Sequence, residues 1–188
     1  MNYKIILASN SPRRKELLKG LDIDFEVRII PDIDESYPPE LPPAQVPVYI
    51  AQKKADAYRA SMKEDELILT ADTVVVLDND ILEKPADKNE AIRMIKQLSG
   101  RKHLVITAVT LSTDNKHKVF SVTSTVEFAK LTDEEIAYYV ETYKPFDKAG
   151  AYGIQEWIGY IGVKSIEGSF YNVMGLPIQR LYQELKDF

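Results

Sequence analysis

Short apolar runs alternate with amphipathic stretches along the whole chain, and turn-forming residues separate most of them. Residues 5–8 predict a first strand. Ser11 then predicts a helix N-cap and Pro12 a first helical residue, because the missing proline N–H would have no intrahelical partner there. Gly20 predicts the stop of that helix. The β-branched stretch 25–30 predicts a second strand. Residues 31–43 break the pattern with clustered prolines and acidic residues; short and central, they read as an ordered active-site loop or lid. Residues 46–59 predict a helix with Pro47 in its first turn and Ile50, Ala51, Ala57 and Tyr58 along one side. Residues 67–77 show almost no alternation, as expected of a strand covered on both faces, and Asp78-Asn79-Asp80 turns the chain into a return strand at Ile81-Leu82.

Asp87 with Glu90 predicts a capping box for a helix running to Leu98 and closed by Gly100. Residues 104–112 and 118–128 predict a hairpin turned at Asp114-Asn115. Thr132 predicts the cap of a further helix, with Asp133, Glu134 and Glu135 favourably placed in its first turn. Tyr138, Tyr139 and Tyr143 on that helix read as packing or as an oligomer surface. Residues 158–166 predict a strand and 176–185 a closing helix. No repeat or low-complexity segment is present. The alternation predicts an α/β fold with a mixed β-sheet rather than a strictly doubly wound one.

At 188 residues the chain fits a single domain, 1–188, or one domain with a lobe, able to bury a substantial core. Basic residues number 24 against 29 acidic, a net charge of −5, which disfavours a nucleic-acid or anionic-membrane binder. Cations clustered within an acidic chain point to a local pocket. The absence of cysteine excludes disulfides and thiolate metal sites. No signal peptide is evident, and no apolar run approaches the roughly 18–20 residues needed to span a bilayer. A cytoplasmic location is expected.

The densest chemistry lies at the first strand-to-helix turn. Ser9 and Ser11 supply small hydroxyls, and Arg13, Arg14 and Lys15 occupy a first helical turn. Cations oppose the helix dipole there, at roughly 0.3–1 kcal/mol each. A multiply charged anion such as a polyphosphate would turn that cost to use; the ordinary alternative is a solvated basic face. Asp72 sits inside the most apolar stretch and needs a cation, hydrogen bonds or a functional role. Thr73 beside it is either strand filling or a second hydroxyl at the same place. Glu35, on the proline-rich loop, would complete with Asp72 and phosphate oxygens a site for Mg²⁺ or Mn²⁺, although an acidic loop is ordinarily just solvated. Lys54 and Lys84 are single lysines of the usual surface kind, Lys84 held extended by the following proline. The run Ala149-Gly150-Ala151-Tyr152-Gly153-Ile154-Gln155 allows close backbone approach, and the Gln155 amide both donates and accepts, as reading a nucleobase edge requires. An ordinary tight turn would look the same. Residues 168–177 form another loop-to-helix entry. His103 and His117 have no partner at ligand spacing and read as structural or exposed.

Together these segments resemble the Maf family of nucleoside-triphosphate pyrophosphatases, over nearly the whole chain. The resemblance rests on Leu7-Ala8-Ser9-x-Ser11-Pro12-Arg13-Arg14 with Glu16-Leu17-Leu18, Ala71-Asp72-Thr73, Leu82-Glu83-Lys84-Pro85, Ser99-Gly100 with His103, the run 149–155, and Gly175-Leu176-Pro177. Arg13, Thr73 and Gln155 look like the branch acting on dTTP and UTP rather than on 7-methyl-GTP. The resemblance implies an elongated mixed sheet flanked by helices, similar to inosine-triphosphate pyrophosphatase-like (Maf/Ham1) folds, with a central substrate cleft. It implies hydrolysis of the α–β anhydride to a nucleoside monophosphate and pyrophosphate. Asp72 would be the proton acceptor and, with Glu35, a ligand of the divalent ion. Arg13, Thr73 and Gln155 would mark specificity; Arg13, Arg14, Lys54 and Lys84 would stabilise charge on the pyrophosphate leaving group, and Ser9 would bind substrate. One departure is Glu156-Trp157, where relatives often have a glycine; these residues would either narrow the base pocket or face outwards.

The expected partners are nucleoside triphosphates, with neither nucleic acid nor membrane, and a homodimer is left open. Three alternatives stand beside this reading. One is a non-enzymatic, nucleotide-responsive regulator of cell division, against which Asp72 beside a cation-rich turn argues. Another is a Maf pyrophosphatase acting mainly on modified nucleotides. The third, a sugar-phosphate nucleotidyltransferase, would carry a glycine-rich loop where this chain has Ser9-Asn10-Ser11-Pro12.

Overall fold

The computed structural model describes residues 3–188. Its strands are β1 (Lys4–Leu7), β2 (Phe25–Val27), β3 (Glu66–Leu77), β4 (Asp80–Leu82), β5 (Lys102–Ser112), β6 (His117–Phe128) and β7 (Val163–Glu167). They hydrogen-bond in the order β2-β1-β3-β5-β6-β7, with β4 on β3. The sheet is mixed: β1 runs parallel to β2 and β3, whereas β4 is antiparallel to β3 and β7 to β6. Helices α1 (Pro12–Lys19), α2 (Val46–Tyr58), α3 (Lys88–Leu98), α4 (Asp133–Tyr143), α5 (Trp157–Gly162), α6 (Phe170–Met174) and α7 (Ile178–Asp187) flank it. The chain divides into two compact units. Unit 1 holds the chain up to Thr73, residues 107–122 and Gly175–Phe188; unit 2 holds Val74–Ile106 and Thr123–Met174.

In unit 1, β1 is buried from Ile5 to Leu7 and β3 from its first residue, which is why neither alternates. Ile6, Ile68 and Tyr58 form the centre of a core against which Ile30 and Ile33 also pack. The Tyr58 hydroxyl donates to the Arg28 carbonyl at 2.8 Å and accepts from the Ile30 N–H at 3.0 Å. Helix α2 thereby fixes the chain leaving β2, and Ile33 anchors the proline-rich loop from below. That loop carries no regular secondary structure before Pro43. The second strand is shorter than expected: the Arg28 N–H still bonds to the Leu7 carbonyl of β1 at 3.2 Å, but the Arg28 carbonyl and the Ile30 N–H are taken by Tyr58 of α2.

In unit 2, Asp87 caps α3 by accepting the Glu90 N–H at 2.8 Å. The Glu90 carboxylate reaches back to the Ala86 N–H rather than to Asp87, so the expected reciprocal box is only half made. Thr132 and Glu135 make the full capping box of α4. The strand expected over 158–166 is wrong in its first half. Residues Trp157–Gly162 are helix, and only Val163–Glu167 is strand. The apolar run conceals a helical turn that presses on the preceding loop: a Cβ on Gly159 would lie 1.7 Å from the Ile154 carbonyl oxygen. Helix α6 was not expected at all, and α7 begins two residues later than predicted, after Pro177.

Candidate active site

In unit 1, alternate residues of β3 serve two purposes, as the two-residue period of a strand requires. Thr70 and Asp72 share one face. The Thr70 hydroxyl donates to the Ala51 carbonyl of α2 at 2.7 Å. One helical turn beyond Ala51, Lys54 donates to the Asp72 carboxylate at 2.9 Å. The same ammonium lies 3.1 Å from the Glu35 carboxylate. Glu35 arrives there because the loop is pinned: Ile33 is packed against the core, and Asp34 pairs with Lys53 at 2.6 Å. Lys53 also donates to the Ser36 carbonyl at 2.9 Å. Two consecutive acids of the loop thus meet two consecutive lysines of the helix.

On the other side of β3, Thr73 and the Ala71 carbonyl meet Arg14. The Arg14 Nε donates to the Gly175 carbonyl at 2.8 Å, one terminal nitrogen to the Ala71 carbonyl at 2.9 Å and the other to Thr73 Oγ1 at 3.0 Å. A 3.5 Å contact joins Arg14 to Ser9 Oγ, which also accepts the Ser11 N–H at 3.2 Å. Thr73 Oγ1 lies 2.9 Å from the Thr107 hydroxyl. Ser11 caps α1, accepting the Arg14 N–H, and Pro12 takes the first helical position, both as expected. Arg14 therefore commits all three guanidinium nitrogens to the protein and braces the turn. Arg13, beside it on α1, is half-buried.

Burial pushes the Asp72 carboxyl above its usual range; Lys54 and Arg14 oppose that shift without cancelling it. Burial likewise lowers the Arg14 guanidinium, with Asp72 acting against the shift. Because desolvation outweighs the neighbouring cations, this carboxylate is a stronger base than one in water, which suits a proton acceptor. The convergence of Glu35 and Asp72 on a single ammonium also shows that the two carboxylates can share a cation. Among the described residues no set of three or more His, Cys, Asp or Glu is gathered for a metal. Two carboxylates completed by phosphate oxygens and water fit a hard divalent ion, which takes few protein ligands.

In unit 2, Lys84 is exposed just after β4. The Gly150 N–H donates to the Glu83 carbonyl at 3.2 Å, which stitches that segment to the small-residue run 149–155. Gln155, at the end of the run, lines an open pocket of about 240 Å³ with Ile154, Tyr160, Val163, Ile166 and Phe170. Its Oε1 is buried and has no hydrogen-bond partner among the described residues. Glu156 turns away from the pocket: its carboxylate accepts from the Tyr139 hydroxyl and lies 3.2 Å from Lys148. Trp157 packs edge-on against Tyr138, ring centroids 4.9 Å apart. Neither narrows the pocket. In the 168–177 segment, the buried Asn172 amide donates to the Val105 carbonyl and to Ser124 Oγ, a structural role. His103 is buried against Phe128 and Tyr152 and is structural, as expected.

Residues 4–188 match the family model for Maf-like proteins. The chain belongs to this family. A dTTP/UTP pyrophosphatase of Parabacteroides distasonis is 62% identical over 99% of this chain and 96% of its own length. One from Bacteroides thetaiotaomicron is 60% identical over 98% and 95%. Among solved structures, the Ham1 protein of Staphylococcus aureus covers 98% of both chains at a TM-score of 0.58 and 18% identity. A HAM1 protein from Coxiella burnetii, 16% identical, gives 0.52 over 99% of this chain and 100% of its own. These two likenesses establish that the Maf-like chain shares the Ham1 α/β fold. Sequence alone did not reveal the Asp34–Lys53 clasp, Thr107 or the Gly175 carbonyl. The paired doublets Asp34-Glu35 and Lys53-Lys54 were the one available signal.

Proposed function

We propose that this Maf-like protein hydrolyses nucleoside triphosphates between the α and β phosphates, releasing a monophosphate and pyrophosphate, with dTTP and UTP as its substrates. The reading is supported by relatives about 60% identical over nearly their whole length that are named for this activity. The observation that carries its chemistry is the buried Asp72 carboxylate, held on Lys54 opposite Glu35. Asp72 takes the proton of the attacking water. Lys54 and Arg13 offset charge on the phosphates, Lys84 adds a further cation, and Arg14 with Ser9 holds the turn that presents them. Glu35 and Asp72 would hold Mg²⁺ or Mn²⁺, which supplies charge neutralisation and a more acidic water when bound.

Gln155 reads the base. Uracil and thymine present an acceptor–donor–acceptor edge, and an amide with a free buried oxygen can accept from the ring N–H while its NH₂ donates to a carbonyl. Cytosine reverses part of that pattern and would leave polar groups unpaired, which discriminates strongly.

A kcat/KM survey of the common nucleotides with Mg²⁺ or Mn²⁺, and in EDTA, tests both parts. Pyrophosphate release that needs the ion and favours dTTP and UTP is expected, with the preference eroded in Gln155→Ala. A purine preference, or full activity in EDTA, would overturn the reading.

A further inference from the structure

We propose that Tyr139, Glu156 and Lys148 are positioning residues that hold Gln155 in its base-reading pose; the inference rests on the role of Gln155 proposed above. All belong to unit 2. Gln155 is the third residue of a tight turn closed by the Glu156 N–H donating to the Gly153 carbonyl at 3.0 Å. A single chain of polar contacts grips both ends of that turn. At one end, the Gly153 N–H donates to the Tyr139 hydroxyl at 2.9 Å. The same hydroxyl donates to the Glu156 carboxylate at the other end. Lys148, only 8% exposed, closes the chain on the second Glu156 oxygen at 3.2 Å and is itself paired with Asp147 at 2.8 Å.

The clamp packs closely on the turn. A Cβ on Gly153 would lie 2.8 Å from the Glu156 carboxyl carbon and 3.0 Å from Lys148 Cε. Glu156 occupies the N-cap of α5, yet its side chain makes no capping bond, because the carboxylate is spent on Tyr139 and Lys148. Tyr139 is set from outside the loop: it is fully buried on α4 and stacks on Tyr143 at 5.2 Å. Burial and the Glu156 bond both keep its hydroxyl protonated, so it can donate to the carboxylate at any ordinary pH. Tyr139, Glu156 and Lys148 thus satisfy one another, while the Gln155 Oε1 has no hydrogen-bond partner among the described residues. An unsatisfied buried acceptor on a clamped turn is what a specificity contact requires, since misplacement of about 1 Å is enough to lose an oriented contact.

The test compares wild type, Tyr139→Phe, Glu156→Gln, Gln155→Ala and the Tyr139→Phe/Gln155→Ala double variant, each shown folded by circular dichroism, with kcat and KM for UTP and CTP. Tyr139→Phe keeps the ring stack and Glu156→Gln keeps the size, so at least one of these near-isosteric changes isolates the polar chain from the fold. Both should cut the preference for UTP over CTP by roughly tenfold through a raised KM for UTP, with kcat on UTP within about threefold of wild type. The double variant should rank nucleotides as Gln155→Ala does, the non-additivity expected when one residue acts through another. An unchanged ranking in both single variants, an equal loss of kcat on every nucleotide, or additive effects in the double variant would overturn the inference while leaving Gln155 as the reader. A ranking unchanged in Gln155→Ala would overturn the base-reading role itself, and the inference with it.

Discussion

Asp72 and Arg14 show how differently two charged residues in one unit can be legible. Asp72 stood out because no carboxylate belongs in an otherwise apolar strand without a partner, and the structure supplies one in Lys54. Arg14 stood out equally as a cation at a helix start, but its role could not be read. Its bonds go to the Ala71 and Gly175 carbonyls and to Thr73, partners up to 161 residues away, and no local pattern reports them. The planar fork of arginine reaches all three at once, whereas an ammonium cannot. Arg14→Lys should therefore cost about 2–3 kcal/mol of stability through lost charge-assisted bonds to buried carbonyls. Chemical denaturation of the purified variant checks this; a midpoint unchanged from wild type would return Arg14 to a purely ligand-facing role.

Elements were legible where their ends carried chemistry and their faces were unambiguous. Ser11-Pro12, Asp87 and Thr132 each start a helix where expected, because a side-chain acceptor at that position satisfies N–H groups that nothing else can reach. β3, mostly apolar and without alternation, reads as a strand covered on both faces, and it is buried along nearly its whole length. The failure at α5 has the opposite cause. Trp157–Gly162 is too short for a helical period to show, and its apolar residues look the same in a strand. What decides it is the close approach of Gly159 to the Ile154 carbonyl, a contact between backbone segments. Gly159→Ala should consequently displace the turn that carries Gln155, lowering stability by on the order of 2–3 kcal/mol, in the range of overpacked sites. Thermal unfolding measures that loss, and a fully stable Gly159→Ala protein would show that α5 can move off the loop without penalty.

For the whole molecule, the alternation of elements was enough to indicate a mixed α/β sheet, and the Ham1 likeness agrees. Its division into two units was not legible, because β3, β5 and β6 run on from one unit into the other without a break in pattern. None of the described helices is long and apolar enough to cross a membrane. Global stability should carry a pH signature from His103. Burial pushes its imidazole down to about 4 from 6.5, with Nε2 bonded to the Tyr152 hydroxyl at 2.7 Å and Nδ1 without a partner among the described residues. The unfolded chain binds the proton more readily, so this stability is fully present above pH 6.5 and is lost as pH falls toward 4. Between pH 7 and 5 the loss should be about 2 kcal/mol, on the linkage of one group. Urea denaturation at the two values, with His103→Gln as the variant that lacks the dependence, would show it; an identical pH dependence in both proteins would mean that His103 binds its proton equally well in the folded and unfolded chain.

The central claim, attack on the α–β anhydride with Asp72 as the proton acceptor, is tested most directly by following UTP hydrolysis with Mg²⁺ by phosphorus NMR. Wild type and Asp72→Asn should be compared at equal concentration and verified folding. Asparagine preserves the shape and the contact with Lys54 but cannot accept the proton. The wild type should yield uridine monophosphate and pyrophosphate as first products, and the variant should be slower by a factor of about 10³ or more, a barrier increase of roughly 4 kcal/mol. Orthophosphate appearing first, or a folded Asp72→Asn within about tenfold of wild type, roughly 1.4 kcal/mol, would contradict the claim.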